Sequence, residues 1–184
     1  MSRKASISKE DIIEAAFRVV LREGFDNVSV RVVAAEAGCS TQPVFRIYEN
    51  MGALKKDLYD KAASFYENYY REYLKTGEVP FVDLGMAYIG FARSYPHLFR
   101  LLFLSAHDEG TRSTFSLVNG PDEAVAKEVQ RAGKDGAKDP NQLFMQMWIF
   151  IHGAATMAVT GDNDLDDAQC ADLLKTCYKD FLRG

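Results

Sequence analysis

The chain has 184 residues, 47% hydrophobic and 26% charged, as expected for one globular domain or for a small module fused to a larger one. Its 22 basic and 26 acidic residues give a net charge of -4, which excludes a polycation that coats nucleic acid but allows a local basic patch. We find no apolar run of about 18 residues for a membrane span and no hydrophobic signal stretch after the charged N-terminus. Three scattered cysteines are too few for a disulfide framework, so we expect a cytoplasmic protein.

Almost every segment has the periodicity of an α-helix, and no useful length alternates as a strand does, so the predicted fold class is all-α. In the N-terminal third, capping residues mark helix starts and glycines mark two helix ends. These signals are Ser8 and Gly24 for the first helix, Ser29 and Gly38 for the second, Ser40 for the third (41–48), and Asn50 for the fourth, which is predicted to extend to Lys75.

The C-terminal part begins after a composition shift at Thr76-Gly77. Apolar spacing predicts further helices there, several of them starting at a proline, where the missing N–H costs nothing. One predicted helix begins at Phe81, and further helices are predicted over Pro96–Ser105, 121–133, 140–161 and 166–183. The polar segment His107–Thr114 is predicted to be a loop.

Residues 29–48 place a short helix, a glycine turn and a second short helix in succession, which is the arrangement of a helix-turn-helix. The glycine allows the tight turn, and the small side chains of Ala34 and Ala37 let the helices approach closely. The second helix is short enough to enter a DNA major groove, which is about 12 Å wide. There Gln42 can pair with adenine and Arg46 with guanine. An ordinary helical hairpin with a solvated polar face is the alternative.

A longer residue pattern surrounds this motif: Ile13-Glu14-Ala15-Ala16, Gly24-Phe25, Ser29, Val33-Ala34, Ala37-Gly38-Cys39-Ser40, Val44-Phe45-Arg46-Ile47-Tyr48, and Asn50 with Leu54. Over residues 8–58 it resembles the DNA-binding region of the TetR (tetracycline-repressor-like) family. The resemblance implies a DNA-binding transcriptional regulator, usually a repressor, that acts as a homodimer and is often released by a small molecule. We accordingly expect a helix-turn-helix DNA-binding domain over 1–52, and an effector-binding and dimerisation domain over 53–184.

The chain departs from the family pattern at three positions. Tyrosine is usual where Phe45 stands, lysine where Met51 stands and glycine where Gln42 stands. Because Phe45 cannot donate a hydrogen bond to phosphate and Met51 removes a charge, we expect backbone affinity to depend on other groups, Lys56 among them. The candidate DNA-binding residues are Arg3, Lys4, Ser29, Arg31, Ser40, Thr41, Gln42, Pro43, Phe45, Arg46, Ile47, Tyr48 and Lys55.

The segment from Leu143 to Val159 is apolar on nearly every side of a helix, so that helix must be buried on every side. The last helix carries two apolar stripes. A single chain of this length has too few residues to cover one helix on every side. We therefore expect both helices to pair with their copies in a four-helix dimer interface. The candidate interface residues are Ile149, Gly153, Met157, Leu173, Cys177 and Phe181. A central core helix in a monomer is the alternative.

Aromatic side chains are dense in the predicted fifth to ninth helices and could line an apolar effector pocket, with His152 as a polar contact. The candidate pocket residues are Tyr88, Phe91, Tyr95, Phe99, Phe103, Phe115, Phe144, Trp148 and His152. Plain core packing is the alternative for each of them. Trp148, His152 and Gly153 also resemble a Trp-x-x-x-His-Gly signature of one TetR subgroup.

Neither a metal centre nor a catalytic site is predicted. The histidines His97, His107 and His152 lack partners at ligand spacing, and the acidic residues of 162–167 lack the glycine and glutamate of a calcium loop. We find no nucleophile motif and no phosphate-binding loop. We therefore expect no cofactor and no enzyme, but a dimeric repressor that a small apolar effector releases from DNA. The alternative is a ligand- or protein-binding module of the same fold with weakened or lost specific DNA binding, which Phe45 and Met51 favour.

Overall fold

The computed structural model describes residues 7–73, 75, 79–105, 112–162 and 164–183. Over these residues the chain is helical and contains no β-strand, which confirms the predicted all-α class. The helices are α1 (Lys9–Glu23), α2 (Val30–Glu36), α3 (Thr41–Ile47), α4 (Met51–Glu72), α5 (Pro80–Ser94), α6 (Pro96–Phe99), α7 (Thr114–Asn119), α8 (Ala124–Lys134), α9 (Pro140–Thr160) and α10 (Asp167–Arg183). A 3-10 turn (Phe25–Asn27) follows α1, and a π-helical turn (Arg100–Leu104) follows α6.

The capping signals work as expected at most N-terminal helix ends. Ser8 and Asp11 form a reciprocal capping box, in which the Asp11 amide donates to Ser8 Oγ at 3.1 Å and the Ser8 amide donates to Asp11 Oδ2 at 2.9 Å. Gly24 ends α1 with a φ of 87°, a conformation that favours glycine. The side chains of Ser29 and Asn50 each accept a hydrogen bond from the amide three residues further on, at 3.4 and 3.0 Å.

The structure corrects four details. Ser40 occupies the N-cap position of α3 but makes no side-chain capping bond, and α4 ends at Glu72 rather than Lys75. The helix expected over 96–105 is α6 followed by the π turn. Helix α7 was missed because six residues are too few to show a periodicity; Ser113 caps it by accepting a hydrogen bond at 3.2 Å. The expected loop at His107 lies outside the described residues.

The described part of the chain divides into two compact units. One comprises residues 1–65 and 97–111, and the other comprises residues 66–96 and 112–184. Helix α4 contributes to both units, because the division falls within it. The domain boundary expected at residue 52 was defined by function and differs from this division into compact units. It stays a prediction.

In the N-terminal unit, α1 packs against α2, and α2 packs against α3. The core consists of fully buried aliphatic side chains from all four helices, namely Ile12, Ala16, Val20, Val33, Val44, Leu54 and Leu58. Ion pairs tie the helices together at the surface: Arg18 and Arg22 both bind Glu36, and Lys61 binds Glu14. This packing fixes α3 on the outside of the unit.

In the C-terminal unit, α5 packs against both α9 and α10. Gly85 makes this approach possible, because a Cβ there would lie 2.9 Å from Ile151 Cδ1 and 3.0 Å from Leu174 Cδ1. The guanidinium of Arg93 holds the start of α10 by donating to the Leu165 carbonyl at 2.7 Å. It also contacts Cys170 Sγ at 3.1 Å and pairs with Asp167.

By length and composition, α9 is apolar enough to cross a membrane, contrary to the expectation that no such run exists. A single such helix is weak evidence for a span, because core and interface helices of soluble proteins have the same composition. Only 22% of its most apolar window is buried within this chain. The interpretation of α9 as the central core helix of a monomer is therefore wrong: Met145, Ile149 and Met157 are exposed.

Candidate DNA interface and C-terminal sites

Two buried side chains fix the orientation of α3. Val44 is 1% exposed and Tyr48, four positions later, is 4% exposed, so both face the core of the N-terminal unit. The Tyr48 hydroxyl donates to Asp57 Oδ2 of α4 at 2.9 Å, and Lys9 Nζ of α1 lies 2.6 Å from the same oxygen. This three-residue network joins α1, α3 and α4.

The network perturbs the acidity of its members. Burial raises the pKa of Asp57, but hydrogen bonds from Lys9 and Tyr48 outweigh it, so the pKa of Asp57 is lowered overall. Burial, together with the hydrogen bond to Asp57, raises the pKa of Tyr48. The Tyr48 hydroxyl is thus a neutral donor directed into the protein. The hydroxyl ties the C-terminal end of α3 to α4, and a contact between Tyr48 and DNA stays a prediction.

The opposite face of α3 is open to solvent. Gln42, Phe45 and Arg46 are exposed, while Thr41, Pro43 and Ile47 are partly exposed. Ser29 and Ser40, which precede α2 and α3, are also exposed. The structure therefore leaves most of the described candidate DNA-binding residues accessible to solvent. Arg3 and Lys4 lie outside the described residues.

Some charged residues of this unit pair with one another, and others are exposed. Acidic Glu14, Glu36 and Asp57 each take part in an ion pair with α1 or α4 cations. In the described part of the chain, four exposed cations of α2, α3 and α4 take part in no ion pair within 4.0 Å: Arg31, Arg46, Lys55 and Lys56. The Lys55 ammonium lies 5.0 Å from the centre of the Phe25 ring. These four side chains are the candidates for the local basic patch that the net charge of -4 allows. Sequence reasoning missed Asp57, because only the fold brings it to Tyr48.

In the C-terminal unit, several predicted pocket residues form a packed aromatic cluster. The Tyr88 and Trp148 rings lie 5.1 Å apart, and Trp148 stacks on His152 at 5.5 Å. Tyr88 Oη and His152 Nδ1 form a hydrogen bond of 3.0 Å. The cavity beside Tyr88, Phe144 and Trp148 measures about 20 Å³, which is room for about one water molecule.

The remaining pocket candidates are dispersed. Phe91 and Tyr95 lie 5.4 Å apart on the α4 side of α5, where Tyr69 also packs. Phe115 is exposed at the edge of the cluster, 5.8 Å from Phe144. Phe99 and Phe103 belong to the N-terminal unit and pack on each other there. The nine residues therefore do not line one open pocket in this conformation.

Burial controls ionisation in the aromatic cluster. It lowers the pKa of His152 and raises the pKa of Tyr88, so each side chain is held in its neutral form. Among the described residues, no group of three or more His, Cys, Asp or Glu side chains has the arrangement of a metal site.

A larger cavity lies elsewhere, as a groove of about 620 Å³ between α9 and α10. Its lining is mostly apolar and includes Ile149, Gly153, Met157 and Leu173, four of the predicted dimer-interface residues. The fifth, Cys177, is half-buried on α10. Phe181 lines a separate cavity of about 260 Å³ near the C-terminal end of α10.

A helix-turn-helix near the N-terminus, followed along the chain by further helices, is an arrangement that DNA-binding proteins use. Residues 81–178 match the family model described as "Tetracyclin repressor-like, C-terminal domain". The match covers more than half of the chain, so the chain belongs to the tetracycline-repressor-like (TetR) family. The Trp-x-x-x-His-Gly subgroup stays a prediction.

Solved structures share this fold at low sequence identity. A TetR-like transcriptional regulator from Rhodococcus sp. RHA1 superposes with a TM-score of 0.66 at 16% identity, covering 100% of this chain and 99% of that one. A protein of unknown function from the same organism has a TM-score of 0.71 at 20% identity, covering 100% and 98%. A TetR-family regulator from Shewanella sp. PV-4, described as putative, gives 0.64 at 15%, covering 92% and 95%. No curated protein matches the sequence.

Proposed function

We propose that this protein is a homodimeric DNA-binding repressor that recognises a pseudopalindromic operator in the cytoplasm and is released from it by a small apolar effector. The observation that carries the proposal is the exposed face of α3, which presents Gln42 and Arg46 to solvent. Gln42 offers a bidentate contact to adenine, and Arg46 offers one to guanine. Proteins of this family and fold are generally not enzymes.

The surrounding cations supply the contacts that hold the helix-turn-helix on DNA. Arg31, Lys55 and Lys56 are exposed on α2 and the start of α4, flanking α3 in the chain. Each phosphate that such a cation neutralises adds about 0.9 to the slope of log affinity against log salt. Because Arg46 and these cations are exposed, we do not favour a module that has lost specific DNA binding.

Dimerisation supplies the second half of the operator contact. The exposed apolar side chains of α9 and α10 include Met145, Ile149, Met157 and Leu173, and most of them border one groove. A second copy of the same face, related by a twofold axis, would cover this area and build a four-helix interface. A helix-turn-helix dimer presents two recognition helices about 34–36 Å apart, which matches one turn of DNA.

Effector binding is proposed for the aromatic cluster of the C-terminal unit. Tyr88, Trp148 and His152 combine apolar rings with a neutral hydrogen-bonding pair, as ligand sites commonly do. Since the cavity there holds about one water, an effector must displace side chains to enter. That displacement is the conformational change through which binding would reduce DNA affinity.

The test is selection of bound sequences from random double-stranded DNA by the purified full-length chain at low salt. We expect an enriched inverted repeat whose half-sites are about 10 base pairs apart. Arg46→Lys keeps the charge but loses the planar fork, so it should keep the salt dependence and lose preference at one guanine position. Lys127→Ala, an exposed cation on α8, is the matched control and should leave the selected sequence unchanged.

Failure to enrich any inverted repeat would overturn the proposal. The effector arm uses Trp148, which is the sole tryptophan of the chain, as its probe. Small apolar compounds that release the selected DNA should also change Trp148 fluorescence. Release without any fluorescence change would place the effector site outside the cluster.

A further inference from the structure

A phenyl ring is exposed on the recognition helix. Phe45 is 62% exposed, and within residues 29–48, all of which the structure describes, it is the one large apolar side chain in solvent. Four of the other exposed large apolar side chains lie on α9 and α10, where Ile149 is 66% exposed, and Phe115 lies on α7. Phe45 therefore lies apart from the proposed dimer face and needs a separate explanation.

The position of Phe45 on α3 places it among the proposed base-contacting residues. It follows Gln42 by three residues and immediately precedes Arg46, so all three share one side of the helix. Val44 and Tyr48 occupy the opposite, buried side and hold this orientation. Any partner that Gln42 and Arg46 contact would also meet the Phe45 ring.

The chemistry of the ring limits what it can recognise. A phenyl group has no hydrogen-bond donor or acceptor, so it gains nothing from a phosphate oxygen or from the polar edge of a base. The apolar group that the major groove offers is the 5-methyl group of thymine. Contact between the two removes apolar surface of both from water, which is favourable.

We infer that Phe45 recognises the 5-methyl group of a thymine in each operator half-site, next to the purines that Gln42 and Arg46 contact. The inference rests on the proposed function and adds a specificity-determining residue to it. It also gives a role to Phe45, which stands where the family usually has tyrosine and which cannot donate a hydrogen bond to a phosphate. Burial of one methyl group corresponds to about a three- to five-fold gain in affinity per half-site.

The experiment removes that methyl group from DNA without changing the hydrogen-bonding pattern. In the operator obtained by selection, each thymine is replaced in turn by deoxyuridine, and binding of the full-length protein is measured by fluorescence anisotropy at one salt concentration. We expect one thymine position per half-site at which the wild-type protein loses about three- to five-fold in affinity, and about ten- to twenty-fold when both half-sites are changed.

Variants assign the effect to the ring. Phe45→Ala should bind the thymine and deoxyuridine operators equally, whereas Phe45→Leu, which keeps an apolar side chain, should retain part of the preference. Gln42→Ala is the matched control on the same face: it should bind more weakly yet keep the methyl preference. Since Phe45 is exposed, these variants should fold normally, which circular dichroism checks.

The possible failures are distinguishable. If no operator is selected, the proposed function and this inference are both overturned. If an operator is bound but deoxyuridine lowers affinity nowhere, or lowers it equally for wild type and Phe45→Ala, only the inference is overturned. The last result would assign the contact with the thymine methyl group to another residue of the protein.

Discussion

In the N-terminal unit the groups proposed to contact DNA are already exposed, whereas in the C-terminal unit the aromatic side chains proposed to contact an effector are packed against one another. Arg46 projects into solvent from α3 with no ion-pair partner within 4.0 Å among the described residues. Tyr88 and Trp148 instead fill the space between α5 and α9, leaving about 20 Å³. The apolar groove that is open lies outside the aromatic cluster, between α9 and α10.

This difference follows from how polar and apolar groups behave in water. Water stabilises an exposed cation before it binds a phosphate. The release of counterions from DNA then favours binding. An empty apolar cavity gains nothing from water, so side chains close it. An open apolar groove is therefore better explained by a protein partner than by an absent small ligand.

The largest expected effect tests the groove between α9 and α10. Ile149→Glu places a carboxylate on the proposed dimer face. In a dimer, each carboxylate would lie against either the same carboxylate of the partner or an apolar surface. We expect monomers in analytical ultracentrifugation and a loss of operator affinity of about 100-fold or more, because the second half-site is no longer tethered. The free energy of unfolding of the monomer should change little, since Ile149 is exposed within the chain.

The control for this substitution is Gln130→Glu, which adds the same charge at an exposed position on α8. It should leave both the dimer and the operator affinity intact. Dimers of Ile149→Glu that bind the operator as tightly as wild type would show that the groove has another occupant.

A smaller effect tests how α3 is held. Tyr48→Phe removes the hydroxyl that donates to Asp57 and should lower the free energy of unfolding by about 0.5–1.5 kcal/mol. Because Tyr48 is buried, the salt dependence of DNA binding should keep its slope. The measurements are urea unfolding and binding titrations at several salt concentrations.

Arg31→Ala is the opposite case and serves as the control for Tyr48→Phe. Arg31 is exposed and takes part in no ion pair in the described chain, so stability should stay within about 0.5 kcal/mol of wild type. Its loss should reduce the salt slope by about 0.9 if it contacts a phosphate. A reduced slope for Tyr48→Phe would mean that its hydroxyl does contact DNA.

The smallest effect is a pH dependence in the aromatic cluster. Burial lowers the pKa of His152, so the unfolded chain binds a proton at a higher pH than the folded chain does. The stability that this contributes is present above about pH 6.5 and is lost as the pH falls through the lowered value. His152→Gln keeps a hydrogen-bonding group near Tyr88 and should flatten the stability profile below about pH 6.5. Identical urea-unfolding profiles for the two proteins would contradict this.

Local signals predicted much of the N-terminal unit. The capping box at Ser8 and the left-handed glycine at Gly24 act through neighbours within a few residues, so the sequence is enough to locate α1. The exposed face with Gln42 and Arg46 followed from helix periodicity. The hydrogen bond from Tyr48 to Asp57 was not predicted, because Asp57 lies on the next helix and no local pattern connects the two.

The C-terminal sites were harder to predict for a related reason. Aromatic spacing showed which residues favour the interior, but not that Phe99 would pack in a different unit from Trp148. Apolar composition identified Ile149 and Leu173 as interface candidates, and both prove to be exposed beside one groove. Their use in a dimer stays a proposal.

The sequence by itself determined most of the helices and the helix-turn-helix, because capping, turn glycines and periodicity act between residues that are close along the chain. The residue pattern over 8–58 indicated the family. The tertiary structure decided which of those residues are available. It buried the Tyr48 hydroxyl against Asp57, left the Phe45 ring in solvent and closed the aromatic cluster around Trp148. Availability depends on which surfaces pack together across long sequence separations, and packing is a property of the folded chain as a whole.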